Sequence, residues 1–241
     1  VYDVKAPHLG GTNRVEVLLP DTLPADAACR VLYVLPVNEG IGGRWGDCLQ
    51  VLRQTGLHNK HRLVCVTMAF DTVPWYGGHA SDPAIRHEQY IKDVVVPLID
   101  ERYPVQATTA GRLLLGFSKS GWGALGLLAR NPGTFGYACS WDAPLVMDAD
   151  DYSMWGTDAH FGSRKNFLAH TPLAALERNA AKLRGAPRLA VLGHNLFGNR
   201  FACPKDTPHT ATFHQRLDDL RVPHTYDNTI RAPHSWNAKW L

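Results

Sequence analysis

The chain has 241 residues, 45% of them hydrophobic and 20% charged, with 25 Lys and Arg against 22 Asp and Glu for a formal charge of +3. That composition supports a sizeable core in one large domain and excludes intrinsic disorder. The basic residues form no block, so no nucleic-acid partner is expected, and apolar runs such as Arg112 to Phe117 fall far short of the roughly 18 residues of a membrane span.

Asn13 to Leu19 and Arg30 to Val37 are β-branched runs separated by the turn-rich stretch Pro20 to Ala27, and both suit sheet strands. Asp47 to Thr55 carries Leu49, Val51 and Leu52 at helical spacing with Gly56 as a stop, and Arg62 to Ala69 is an apolar strand buried on both faces. After the Gly-rich aromatic loop Trp75 to Asp82, a helix is predicted from about Pro83 to Tyr103, kinked or shortened by Pro97. Next come the strand Arg112 to Phe117, the helix Gly121 to Arg130 and the strand Gly136 to Trp141. The stretch 143–185 is less regular and reads as a lid-like insertion, with a helix from Pro172 to Arg184. Arg188 to Gly193, Pro208 to Leu220 and His224 to Thr229 give a strand, a helix and a last strand. Strands alternating with helices predict an α/β fold, a mostly parallel sheet with helices on both faces.

The five cysteines include no CxxC pair, and their odd number favours reduced thiols over a disulfide framework. The sequence opens Val1-Tyr2 without an initiator Met, so the compartment, cytoplasmic or secreted, stays open, as does the oligomeric state.

The strongest local signal is Gly116-Phe117-Ser118-Lys119-Ser120-Gly121 at a strand-to-helix junction. A serine held on such a bend needs small residues two positions before and after it, and Gly116 and Ser120 meet that need, although glycine is usual at the second position. A serine hydroxyl also needs a base, and among 12 histidines His234 is the best placed, in the loop Arg231 to Trp236 after the last strand. His224, at the start of that strand, belongs to the opposite edge. The backbone N–H of Lys119, next to the nucleophile, is the first expected oxyanion donor.

Three clusters, Trp75-Tyr76 before His87-Glu88-Gln89-Tyr90, the elbow Gly116 to Gly121, and Val222 to Tyr226 leading to His234-Ser235-Trp236, resemble the esterase D-like branch of the α/β-hydrolases. That branch includes feruloyl, acetylxylan and short-acyl esterases and S-formylglutathione hydrolase, and the resemblance runs from Val31 to Trp240. It implies a serine esterase that needs no cofactor or metal and acts on a small-molecule or carbohydrate-linked ester of a sugar, phenol or short acyl group. It also implies Asn38 as the second oxyanion donor, although Pro36-Val37 stands where the family has a His-Gly pair. Gly40, Gly42 and Gly43 would let that loop come close to substrate.

The family places its triad acid soon after the next-to-last strand, where this chain has Gly193-His194-Asn195-Leu196-Phe197 and no carboxylate. Asp142, at the end of the strand after the elbow, and Asp206 are the two substitutes, and Asp142 is favoured. Trp75, Tyr76 and Trp141 are candidate walls of a substrate pocket, or alternatively core residues. The Lys119 side chain points to solvent or favours an anionic substrate. Two rival readings are a metal-dependent hydrolase, for which His87-Glu88 lacks a second His at helical ligand spacing, and a non-catalytic binding protein on the hydrolase fold.

Overall fold

The computed structural model describes residues 1–23, 28–41, 43–193 and 209–241. Its centre is an eight-stranded sheet formed by β1 (Tyr2–Ala6), β2 (Gly11–Leu18), β3 (Arg30–Val34), β4 (Leu63–Met68), β5 (Arg112–Phe117), β6 (Tyr137–Trp141), β7 (Leu189–Leu192) and β8 (His224–Asp227). The order is β1-β2-β4-β3-β5-β6-β7-β8. β1, β2 and β4 pair antiparallel, and every pairing from β4 through β3 to β8 is parallel.

The sheet is apolar on both faces because its residues alternate between two cores. Val31, Tyr33 and Leu35 join one cluster while Leu32 and Val34 join the other. The first cluster contains Leu125 and Leu128 of α5 (Ser118–Arg130) and Leu176 and Leu183 of α8 (Pro172–Leu183). The second contains Leu49 and Leu52 of α1 (Cys48–Thr55) together with Ala232, Trp236 and Trp240 near the C-terminus. α1 starts where Asp47 accepts from the Gln50 N–H at 3.0 Å and stops at Gly56 with φ +68°, as its sequence signals predict.

The predicted helix Pro83 to Tyr103 is later and less regular than its apolar spacing suggests. It begins as α3 (His87–Gln89), widens into a π-helical turn over Tyr90–Val95, and continues as α4 (Val96–Arg102). Pro97 supplies no N–H to the ladder and its ring crowds the carbonyl one turn earlier, so the helix loosens ahead of it instead of ending. The Val96 N–H accordingly bonds back five residues to the Ile91 carbonyl. Between residues 143 and 170 the chain forms short turns and helices, α6 (Thr157–Phe161) and α7 (Arg164–His170), before α8, which Thr171 caps. α2 (Leu57–Lys60) and the edge strand β1 were not predicted; β1 alternates exposed and half-buried residues and has little apolar signal. α9 (His209–Asp219) precedes β8.

Cys29, Cys48, Cys65 and Cys139 are free thiols, Cys65 pushed up to about 12 by burial; Cys203 lies outside the described residues. No helix among the described residues is long and apolar enough to cross a membrane.

Two buried histidines, His87 of α3 and His160 of α6, pack against each other. The His87 ring lies 4.5 Å from both Phe70 and His160, and burial pushes it down from 6.5 to about 3; burial also pushes His160 well below its ordinary value. Both are neutral in the folded chain, whereas unfolding lets them take up protons below about 6.5. Their contribution to stability is therefore complete above that pH and drains away as pH falls toward 3. Melting temperature should drop between neutral pH and pH 5, and His87→Asn should flatten that slope while lowering stability at neutral pH. An unchanged slope would contradict the assignment.

Candidate active site

The bend after β5 holds Ser118 at φ +52°, a left-handed conformation that disfavours side chains and that turns the residue up from the sheet. A Cβ at Gly116 would collide with the Ser120 carbonyl, and one at Gly121 with the Ser140 hydroxyl of β6, so glycine at these positions lets α5 begin this close to β5 and to β6. Ser120, where glycine is usual, is fully buried and its hydroxyl is used twice. It accepts from the Phe117 N–H at 3.0 Å and donates to the Phe117 carbonyl at 2.9 Å, tying off the junction from inside.

Asp142 directly follows β6, the neighbouring strand, in the same left-handed region at φ +44°. Its carboxylate oxygen Oδ2 lies 3.5 Å from Nδ1 of His234, and the two side chains are 1% and 11% exposed. Nε2 lies on the opposite side of the imidazole ring. Gly193 makes room for this pair: a Cβ there would sit 2.7 Å from Asp142 Oδ1 at a backbone φ of +87°. Asp206 and residues 194–197 lie outside the described residues, so the structure speaks to Asp142 alone.

Residues 228–241 contain no helix or strand, and aromatic packing places the His234 loop. Trp141 is stacked between Phe117 and Trp240, with centroids 5.6 and 5.7 Å away, and meets Trp236 edge-on at 5.0 Å. Phe117 in turn meets the His234 ring edge-on at 5.0 Å. Two hydrogen bonds fix the backbone, from the Trp240 indole to the Pro233 carbonyl at 2.9 Å and from the Trp236 N–H to the Trp45 carbonyl at 2.8 Å.

Ser118, Asp142 and His234 all line one cavity of about 240 Å³, which Lys119 and Asn38 also reach. The Lys119 N–H lies in the first turn of α5, where helical N–H groups have no partner within the helix. The Asn38 side-chain oxygen is buried with no hydrogen-bond partner among the described residues. Gly40 exchanges hydrogen bonds with Phe70 at 2.8 and 3.2 Å, which anchors the loop; Gly43 starts a short turn, and Gly42 lies outside the described residues.

Trp75, Tyr76 and Trp141 do not wall the cavity; all three are fully buried. Trp75 packs edge-on against Trp122 at 5.3 Å. The Tyr76 ring lies so close to Gly123 of α5 that a Cβ there would overlap it, and the Tyr76 hydroxyl donates to the Pro36 carbonyl, bracing the Asn38 loop from behind. Trp141 supports His234 through the stack described above. The walls are instead Val37, Arg44, Trp45, Pro144, Trp155 and His209. Of these, Arg44 and Trp45 had a legible signal, adjacent large side chains in a Gly-rich loop following the central strand β3. Lys119 lines the cavity; burial lowers the pKa of its side chain, Glu39 opposes that shift and Arg44 adds to it.

Among the described residues, the group with metal-ligand spacing is His214, Asp218 and His224, whose ligand atoms lie within 4.8 Å of one another. It sits at the start of β8, away from the site. Its order is also explained by hydrogen bonds alone: His224 Nδ1 donates to the Val222 carbonyl at 2.9 Å, so its Nε2 accepts from His214 Nδ1 at 2.7 Å. His214 Nε2 then faces Asp218 at 3.5 Å. The spacing of His214 and Asp218, four apart on α9, was overlooked in the sequence.

A family model described as "Putative esterase" matches residues 6–240. No curated protein matches the sequence significantly. Among solved structures, a ferulic acid esterase is similar at TM-score 0.71 and 18% identity, covering 98% of this chain and 90% of that one. S-formylglutathione hydrolase FrmB from Staphylococcus aureus is similar at 0.70 and 16%, covering 98% and 91%. A CE1 ferulic acid esterase from Anaeromyces mucronatus, in complex with ferulic acid, is similar at 0.65 and 15%, covering 98% and 84%. At these identities the likeness shows the α/β-hydrolase fold.

Ser120→Ala removes the hydroxyl that satisfies two backbone groups of Phe117 inside the junction, and should cost about 1 to 3 kcal/mol in urea denaturation. No loss would mean that the elbow does not depend on that hydroxyl.

Proposed function

The chain belongs to this esterase family and is a carboxylic ester hydrolase, and we propose that it works through a serine acyl-enzyme carried by Ser118, His234 and Asp142. The observation that supports this most is the convergence of Ser118 and His234 on one cavity with Asp142 against His234 Nδ1. Ser118 Oγ attacks the ester carbonyl while His234 Nε2 takes its proton. Asp142 holds the imidazole tautomer and stabilises the imidazolium without becoming protonated. The N–H groups of Lys119 and Asn38 receive the negative charge that develops on the carbonyl oxygen. His234 then gives its proton to the leaving alcohol, and water repeats the sequence on the acyl-enzyme.

The substrate in this reading is an ester of a sugar, phenol or short acyl group, in keeping with the modest cavity. Residues 143–185 act as a cap, since Pro144 and Trp155 from that stretch line the cavity. A non-catalytic binding role would follow from the lack of a carboxylate just after Gly193; the Asp142–His234 pair weighs against it.

The wild-type protein should be labelled by a fluorophosphonate probe and hydrolyse para-nitrophenyl acetate, and Ser118→Ala should lose both. Asp142→Asn should lower turnover by about four orders of magnitude, as when a triad acid becomes an amide. A Ser118→Ala protein that still turns over, or an Asp142→Asn protein close to wild type, would overturn the respective role.

A further inference from the structure

The cavity has a charge pattern that ester hydrolysis alone does not require. Lys119 and Arg44 both line it, and among the described residues neither forms an ion pair. The one carboxylate among the lining residues is Asp142, which is turned toward His234. Glu39 acts on Lys119 from beyond ion-pair distance and lies on the exposed loop outside the lining. Arg44 is close to the reacting groups through one intermediary: its guanidinium carbon lies 5.4 Å from the Trp45 ring centroid, and Trp45 meets the His234 ring edge-on at 5.8 Å. Lys119 follows Ser118 directly, and its side chain is partly withdrawn from water.

Removing a lysine from water with no counter-ion at ion-pair distance is unfavourable, and a second cation at the same cavity adds repulsion, which Glu39 opposes from a longer range. A bound anion would offset both. Arg44, with its planar fork of donors held against an aromatic face, is suited to a carboxylate or a similar oxyanion. We propose that the substrate of this site is an ester that itself carries an anionic group, a carboxylate or another oxyanion, held by Lys119 and Arg44. The proposal rests on the reading of Ser118 as nucleophile and adds the substrate class to it. The charge can be carried by the acyl half or by the alcohol half, since both lie in the one cavity during attack.

The test compares matched neutral and anionic esters in two arms. In the acyl arm para-nitrophenyl butyrate is set against para-nitrophenyl hemisuccinate, and in the alcohol arm para-acetoxybenzamide against para-acetoxybenzoate. In at least one arm the wild type should prefer the anionic ester in kcat/KM by about tenfold or more, the scale of one charge-assisted hydrogen bond. The preference should lie mainly in KM, and the arm that shows it identifies the half that bears the charge. It should shrink toward unity in Arg44→Gln and Lys119→Gln, and in about 1 M salt, where the screening length is about 3 Å. Equal or better use of the neutral ester in both arms, or a preference that survives both substitutions, overturns the proposal. Loss of neutral-ester hydrolysis in Ser118→Ala, measured alongside, tells failure of this proposal from failure of the serine mechanism.

Discussion

The site depends on aromatic packing at the end of the chain. His234 belongs to a stretch with no helix or strand to hold it, yet in the proposed mechanism it is the general base, which has to lie within hydrogen-bond reach of the proton it takes. The stack of Phe117, Trp141 and Trp240, with Trp236 across its edge, supplies the rigidity that backbone ladders supply elsewhere. Each such aromatic pair adds about 0.5 to 1.5 kcal/mol beyond the area it buries. Because Phe117 and Trp141 are also the last residues of β5 and β6, the surface that seats His234 immediately precedes Ser118 and Asp142. Three groups from distant parts of the sequence therefore share one reference frame.

The cavity above this frame divides its electrostatics. Below the imidazole is a nearly inaccessible carboxylate; at the wall and mouth are a lysine and an arginine. The loop after β3, which carries Asn38 and Arg44, is steadied from two sides, by the Gly40–Phe70 bridge and by the Tyr76 hydroxyl on the Pro36 carbonyl. Tyr76 influences the site through the backbone of its neighbour, without touching the cavity.

The sequence made the strands legible because doubly buried segments such as Leu63–Met68 are apolar throughout, and the elbow legible because its spacing encodes a steric demand. The roles proposed for His234 and Asp142 rest on chain order and on the place of Asp142 just after β6, and the structure sets the two side chains 3.5 Å apart. The pocket walls were misjudged for a physical reason: a large aromatic residue in a Gly-rich loop has the same local pattern whether it faces a cavity, as Trp45 does, or fills a core, as Trp75 and Tyr76 do. The distinction depends on long-range neighbours such as Gly123, which no window along the chain contains. The π-helical turn ahead of Pro97 was hidden likewise, since a proline signals a disturbance of the ladder without saying how it is resolved.

Ser118 and Asp142, at the ends of adjacent strands, share a backbone conformation that costs an L-residue about 1 to 2 kcal/mol. Glycine would relieve that cost at either position and would remove with it the side chain to which the proposed mechanism gives a role. In the proposed mechanism the requirements of foldability and of chemistry oppose each other at the same two places. A screen that rewarded thermal resistance alone would drift toward an inert protein of the same shape, and gains in robustness have to be sought away from this rim.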